Sequence, residues 1–116
     1  MSAVWMMKKL TLGALCAIAM LQVSPSQAQQ AAEVQVTYSK GQFQPSELNA
    51  PADKPITLRV KNLDAKAMEF ESKSLRVEKA VAANSEGVIN VRALKPGRYE
   101  FFDDFNEKAR GALTVQ

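Results

Sequence analysis

The sequence predicts an all-β sandwich of about seven or eight short strands. Two observations carry this. From Glu33 onward, apolar and polar residues alternate at period two in several short runs, which marks half-buried strands. Gly, Pro, Asn and Asp punctuate those runs at short intervals, and no long helical pattern intervenes, the spacing of a sandwich. No repeat and no low-complexity block interrupts the pattern.

Residues 1–28 stand outside it. Lys8 and Lys9 give a positive start, and Leu10 to Val23 is an apolar run broken only by Thr11 and Gln22. Ser26-Gln27-Ala28 is a small-x-small cleavage site. This is the form of a secretory signal peptide, and the run is short for a membrane span. Leu15 before Cys16 argues against a lipoprotein, where a small residue is wanted. The expectation is export through the Sec route to the periplasm, with a mature domain of residues 29–116 that spans no membrane after cleavage. Cys16 is the only cysteine, so the mature domain has no disulfide and its core must hold the fold alone. The leader also takes Lys8 and Lys9, leaving 13 basic side chains against 12 acidic ones and a net charge of +1. With no basic cluster and no interleaved aromatic platform, nucleic acid is not an expected partner.

The elements follow in order. Val34, Val36 and Tyr38 alternate with Glu33, Gln35 and Thr37, a first strand. Gly41 and Pro45 punctuate a segment anchored by Phe43 and Leu48. Asn49 to Pro55 is turn-rich. Ile56, Leu58 and Val60 alternate with Thr57, Arg59 and Lys61 in the clearest strand, which Asn62-Leu63-Asp64 ends. Met68 to Glu71 is a short strand, and Leu75, Val77 and Val81 mark another. After a turn at Ala83 to Gly87, residues 88–94 alternate with Ile89, Val91 and Ala93 on one face. Pro96-Gly97 turns the chain into Tyr99 to Phe102. Residues 106–110 are expected to form at most a helical turn before the last strand, Ala112 to Val115.

The chemistry-bearing residues fall in two groups: Met68, Glu69 and Glu71 after the Asn62 turn, and Asp103, Asp104, Asn106 and Glu107 in the C-terminal loop. Glu69 and Glu71 share a strand face, with Met68 and Phe70 on the other. Carboxylates make a hard oxygen-donor site suited to Fe(II), Fe(III), Mn(II) or Ca(II) more than to Cu(I). Gathered carboxylates repel and raise each other's pKa, a cost that a cation, or Lys73, Arg98, Lys108 and Arg110, would relieve. The plain alternatives are a turn-capping Asp pair, a solvated Glu face and core packing for Met68. The chain has no His, so no Ser-His or Cys-His hydrolytic pair can be drawn.

Four segments resemble the cupredoxin superfamily in order along Glu33–Gln116. They are Phe43-Gln44-Pro45 with Leu48, Ile56 to Asn62, Lys95-Pro96-Gly97-Arg98-Tyr99-Glu100-Phe101, and Gly111-Ala112-Leu113-Thr114-Val115. The resemblance implies a Greek-key β-sandwich. Phe70 to Lys79 and Leu94 to Phe105 are similar to a subgroup of small periplasmic cupredoxin-like proteins that accompany iron permeases. That resemblance implies iron or copper ion handling, which in the subgroup extends to Fe(II) oxidation before permeation, with a periplasmic metal-binding protein and an iron permease as partners. The superfamily's Cys-x-x-His copper spacing falls here on Asp103-x-x-Asn106. A blue-copper centre needs a thiolate and two imidazoles, so a type 1 site is excluded. Two functions are expected to compete: metal binding and transfer or electron exchange with an iron-uptake system, and a metal-free adaptor of a membrane complex.

Overall fold

Alternation becomes structure first at β1, Ala32–Ser39, where Val34, Val36 and Tyr38 turn inward. The structure, a computed structural model, describes residues 30–116; the predicted leader, 1–28, lies outside the described residues. Among those residues every helix or strand assigned is a strand. The others are β2 Gln42–Gln44, β3 Glu47–Ala50, β4 Ile56–Asn62, β5 Met68–Ser72, β6 Val77–Val81, β7 Ser85–Val91, β8 Gly97–Asp103 and β9 Asn106–Val115.

They form a four-stranded sheet in the order β2-β1-β4-β7 and a five-stranded sheet in the order β3-β9-β8-β5-β6. The pairs β1–β4 and β3–β9 are parallel. Parallel neighbours need crossovers, so the chain passes between sheets rather than meandering.

The core lies between the sheets. Phe43, Phe70 and Phe101 meet there, with Phe70 and Phe101 stacked at 4.9 Å and Phe43 edge-on to both, the preferred geometry for aromatic pairs. Val36, Val60, Met68 and Ile56 pack around them, at most 1% exposed.

The strand count exceeds the expected seven or eight because short β2 and β3 are separate elements. Residues 106–110 are the start of β9, not a helical turn. Asn106, Glu107 and Lys108 are all exposed, so no period marks this stretch in the sequence. Ala93 is exposed and lies beyond the end of β7 at Val91; the following Leu94 is buried instead.

Among the described residues three polar ones are buried: Asn62, Ser72 and Asp103. All three have hydrogen-bond partners, as buried polar groups must. Ser72 Oγ donates to the Glu100 carbonyl and accepts from the Leu75 amide. The Asn62 amide donates to the carbonyls of Lys66, Val81 and Ala82, and its oxygen accepts from the Asp64 N–H. Asn62 thus ties the end of β4 to the loop before β5 and to the β6–β7 turn.

Candidate metal centre

β5 shows a strict alternation. Met68, Phe70 and Ser72 face the core, and Glu69 and Glu71 face outward, half-buried. β8 runs beside it, with Phe70 opposite Asp103 and Glu71 opposite Phe102. One residue beyond β8, Asp104 leaves on the outer side. Its N–H donates to the Glu69 carbonyl at 2.8 Å. As a result one carboxylate oxygen from each of Glu69, Glu71 and Asp104 lies within 4.8 Å of the others, a spacing a single cation can bridge.

The trio carries like charges with little compensation nearby. Among the described residues, no Lys or Arg forms an ion pair with any of the three. Partial burial, then hydrogen bonding with Asp104 and repulsion from Glu78, Asp104 and Glu71, raises Glu69 above its ordinary value. Partial burial and the charges of Asp104 and Glu78 raise Glu71, with Lys73 pulling the other way.

An open depression of about 610 Å³ adjoins the trio, lined among others by Glu71, Asp104, Glu107, Lys73, Arg98 and Arg110. Arg98 is committed to Glu47 at 2.8 and 3.1 Å. Arg110 lies over the Phe102 ring at 5.0 Å, a cation–π placement.

The structure gathers some of the expected residues and separates others. Glu69, Glu71 and Asp104 come together, and Glu107 borders the same depression. Met68 does not join them: it is fully buried in the core, because a strand cannot present neighbours on one face. Asp103 is also turned away, 2% exposed. Its Oδ2 accepts from Tyr38 Oη at 2.5 Å, and its Oδ1 accepts the N–H of Glu69 at 2.9 Å and of Phe105 at 3.0 Å. Asn106, exposed, borders a separate hollow with Tyr38, Gly41, Asp64 and Phe105. Burial, then the hydrogen bond to Asp103 and its charge, pushes the Tyr38 phenol up to about 12, while Asn106 acts in the opposite direction.

Two participants escape sequence reasoning. Tyr38 reads as a core residue of β1 until the fold brings it to Asp103, 65 positions away. Glu78 pairs directly with Glu71 across the β5–β6 hairpin. Placing a turn at Lys73 to Arg76 in the sequence would have revealed that register.

A family model described as a cupredoxin-like domain matches residues 11–115. An uncharacterized protein of Rickettsia prowazekii (strain Madrid E) is 37% identical over 84 residues, covering 72% of this chain and 67% of that one. Among solved structures, the Cu(I)-bound metal-binding domain of the Cu(I)-exporting P-type ATPase of Streptococcus pneumoniae superposes with a TM-score of 0.67 at 18% identity, over 80% of this chain and 91% of that one. Dithionite-reduced auracyanin from Roseiflexus castenholzii gives 0.59 at 15% identity, over 76% and 98%. These structural likenesses establish the fold. The copper of such a fold does not fit the Cys-x-x-His position here: the chain has no imidazole, and the carboxylate standing for the thiolate already takes three hydrogen bonds.

Proposed function

The chain belongs to the cupredoxin-like domain family, and on that premise we propose that it is a periplasmic metal-handling protein which binds a hard divalent cation, ferrous iron foremost, and passes it to an iron-uptake permease system. The observation that carries this reading is the convergence of Glu69, Glu71 and Asp104 with no Lys or Arg ion-paired to any of them among the described residues. Three carboxylates supply hard oxygen donors, and the adjoining depression leaves room for water or a partner's ligands. Glu69 and Glu71 hold protons more tightly than ordinary glutamates, so binding releases protons and acidification releases the cation.

Without imidazole or thiolate in residues 29–116, the protein transfers Fe(II) rather than oxidising it. The iron-permease partner and the periplasmic location rest on the resemblance of Phe70 to Lys79 and Leu94 to Phe105 to the permease-linked subgroup, and on the leader-like residues 1–28. No helix of the described residues is long and apolar enough to cross a membrane.

A second reading, a metal-free adaptor, is favoured by one observation. Phe105 is 61% exposed, a large apolar side chain that a docking partner would cover. Calorimetric titration of residues 29–116 with Fe(II) under anaerobic conditions, then with Mn(II), Cu(II) and Cu(I), separates the two. Metal handling predicts stoichiometric Fe(II) binding that Glu69→Ala or Asp104→Ala weakens about tenfold or more. Absence of binding by the intact domain leaves the adaptor.

A further inference from the structure

Where the family frame would hold a copper thiolate, this chain holds Asp103, and that carboxylate is fully engaged. Tyr38 donates to one oxygen, and the Glu69 and Phe105 amides donate to the other. A cation at Asp103 would have to expel these donors from a site 2% exposed. We infer that Asp103, backed by Tyr38, is a positioning residue that closes the frame's copper position and holds Glu69 and Asp104 in register on the opposite face. The inference rests on reading the Glu69, Glu71 and Asp104 trio as a cation site.

The strand ladder shows why such a device is needed. β8 pairs with β5 only at Phe70–Asp103 and Glu71–Phe102, and its ladder to β9 is irregular between Phe102 and Asp103. Regular pairing therefore ends at the place from which Asp104 projects. The Asp103 side chain takes over there: Oδ1 binds the Glu69 amide, and the Glu69 carbonyl receives the Asp104 amide at 2.8 Å. Because successive strand residues face opposite sides, the inward carboxylate fixes the backbone from which the outward one leaves. Tyr38 anchors this arrangement to β1 in the other sheet.

The test compares Asp103→Asn with Asp103→Ala in the domain of residues 29–116. An asparagine oxygen still accepts both amides, so Asp103→Asn is expected to keep most of the Fe(II) affinity. Asp103→Ala is expected to lose about tenfold or more, as removal of outer-shell partners typically does. In the metal-free protein, hydrogen exchange at the Glu69 and Phe105 amides should stay slow in Asp103→Asn and become fast in Asp103→Ala. Equal loss of Fe(II) affinity in both variants would make Asp103 a ligand and overturn the inference, as would undiminished binding by Asp103→Ala. If Asp103→Ala does not fold, Tyr38→Phe replaces it: weaker Fe(II) binding with a native fold supports the inference, and unchanged affinity overturns it. If the intact domain takes up no Fe(II), the cation reading fails by itself. The exchange rates then decide alone whether Asp103 locks the two strands.

Discussion

At the scale of single residues, neighbouring carboxylates have opposite roles. Asp103 and Asp104 are indistinguishable by type, and both read as metal ligands in the sequence. The period-two rule would have separated them if β8 were carried one residue past Phe102, since Phe101 and Asp103 share the inner face. The strand's end was misplaced because the step from two phenylalanines to two aspartates reads as a stop at Phe102, whereas β8 runs on through Asp103. Asn62 was legible only as the end of β4. Its amide donates to three carbonyls, from the loop before β5 and from the end of β6, and its oxygen caps Asp64. Asn62→Ala strands these buried groups, and we expect a loss of about 2–4 kcal/mol, measured by urea unfolding. A loss below about 0.5 kcal/mol would mean that water replaces the amide at no cost.

Whole elements show what periodicity can and cannot reveal. β1 and β4 were legible because one face of each is buried and the other wet. The start of β9 was not, since exposed residues on both faces leave no alternation. The β5–β6 hairpin carries the strongest consequence for the site. Its register sets Glu71 directly opposite Glu78, and like charges facing each other across strands are unfavourable. Glu78→Lys should therefore raise the unfolding midpoint of the metal-free domain while weakening Fe(II) binding. A parallel fall in both quantities would show that Glu78 serves the fold and not the field at the trio. Farther along the β8–β9 pair, Gly111 is constrained by contact rather than by conformation. A Cβ there would lie 2.5 Å from the Phe101 ring and 2.8 Å from the Ser46 carbonyl. Gly111→Ala should cost about 1–3 kcal/mol by overpacking, read from a shifted denaturant midpoint. An unshifted midpoint would mean that Phe101 moves aside freely.

The molecule as a whole gathers like charges at Glu69, Glu71 and Asp104, an opposition that the proposed cation would relieve. In the metal-free fold, Glu69 and Glu71 titrate above the ordinary 4.5, so the folded state binds protons more tightly than the unfolded chain. The stability these groups contribute is fully present below 4.5 and is lost as pH rises through their raised values. Acidification from pH 7 should then stabilise the metal-free domain through this trio, and Asp104→Asn should flatten that dependence. On the proposed cation site, Fe(II) should invert the sign, because a cation binds deprotonated carboxylates. At pH 7 and free Fe(II) about 100 times its dissociation constant, linkage predicts a rise in the unfolding midpoint of about 10–20 °C for a domain of this size. At pH 5 the rise should shrink, since protons compete for the same oxygens. Anaerobic thermal unfolding at both pH values, with and without Fe(II), measures all of these effects together. A metal-induced rise that is as large at pH 5 as at pH 7, or that survives in Asp104→Asn, would place the cation away from this trio.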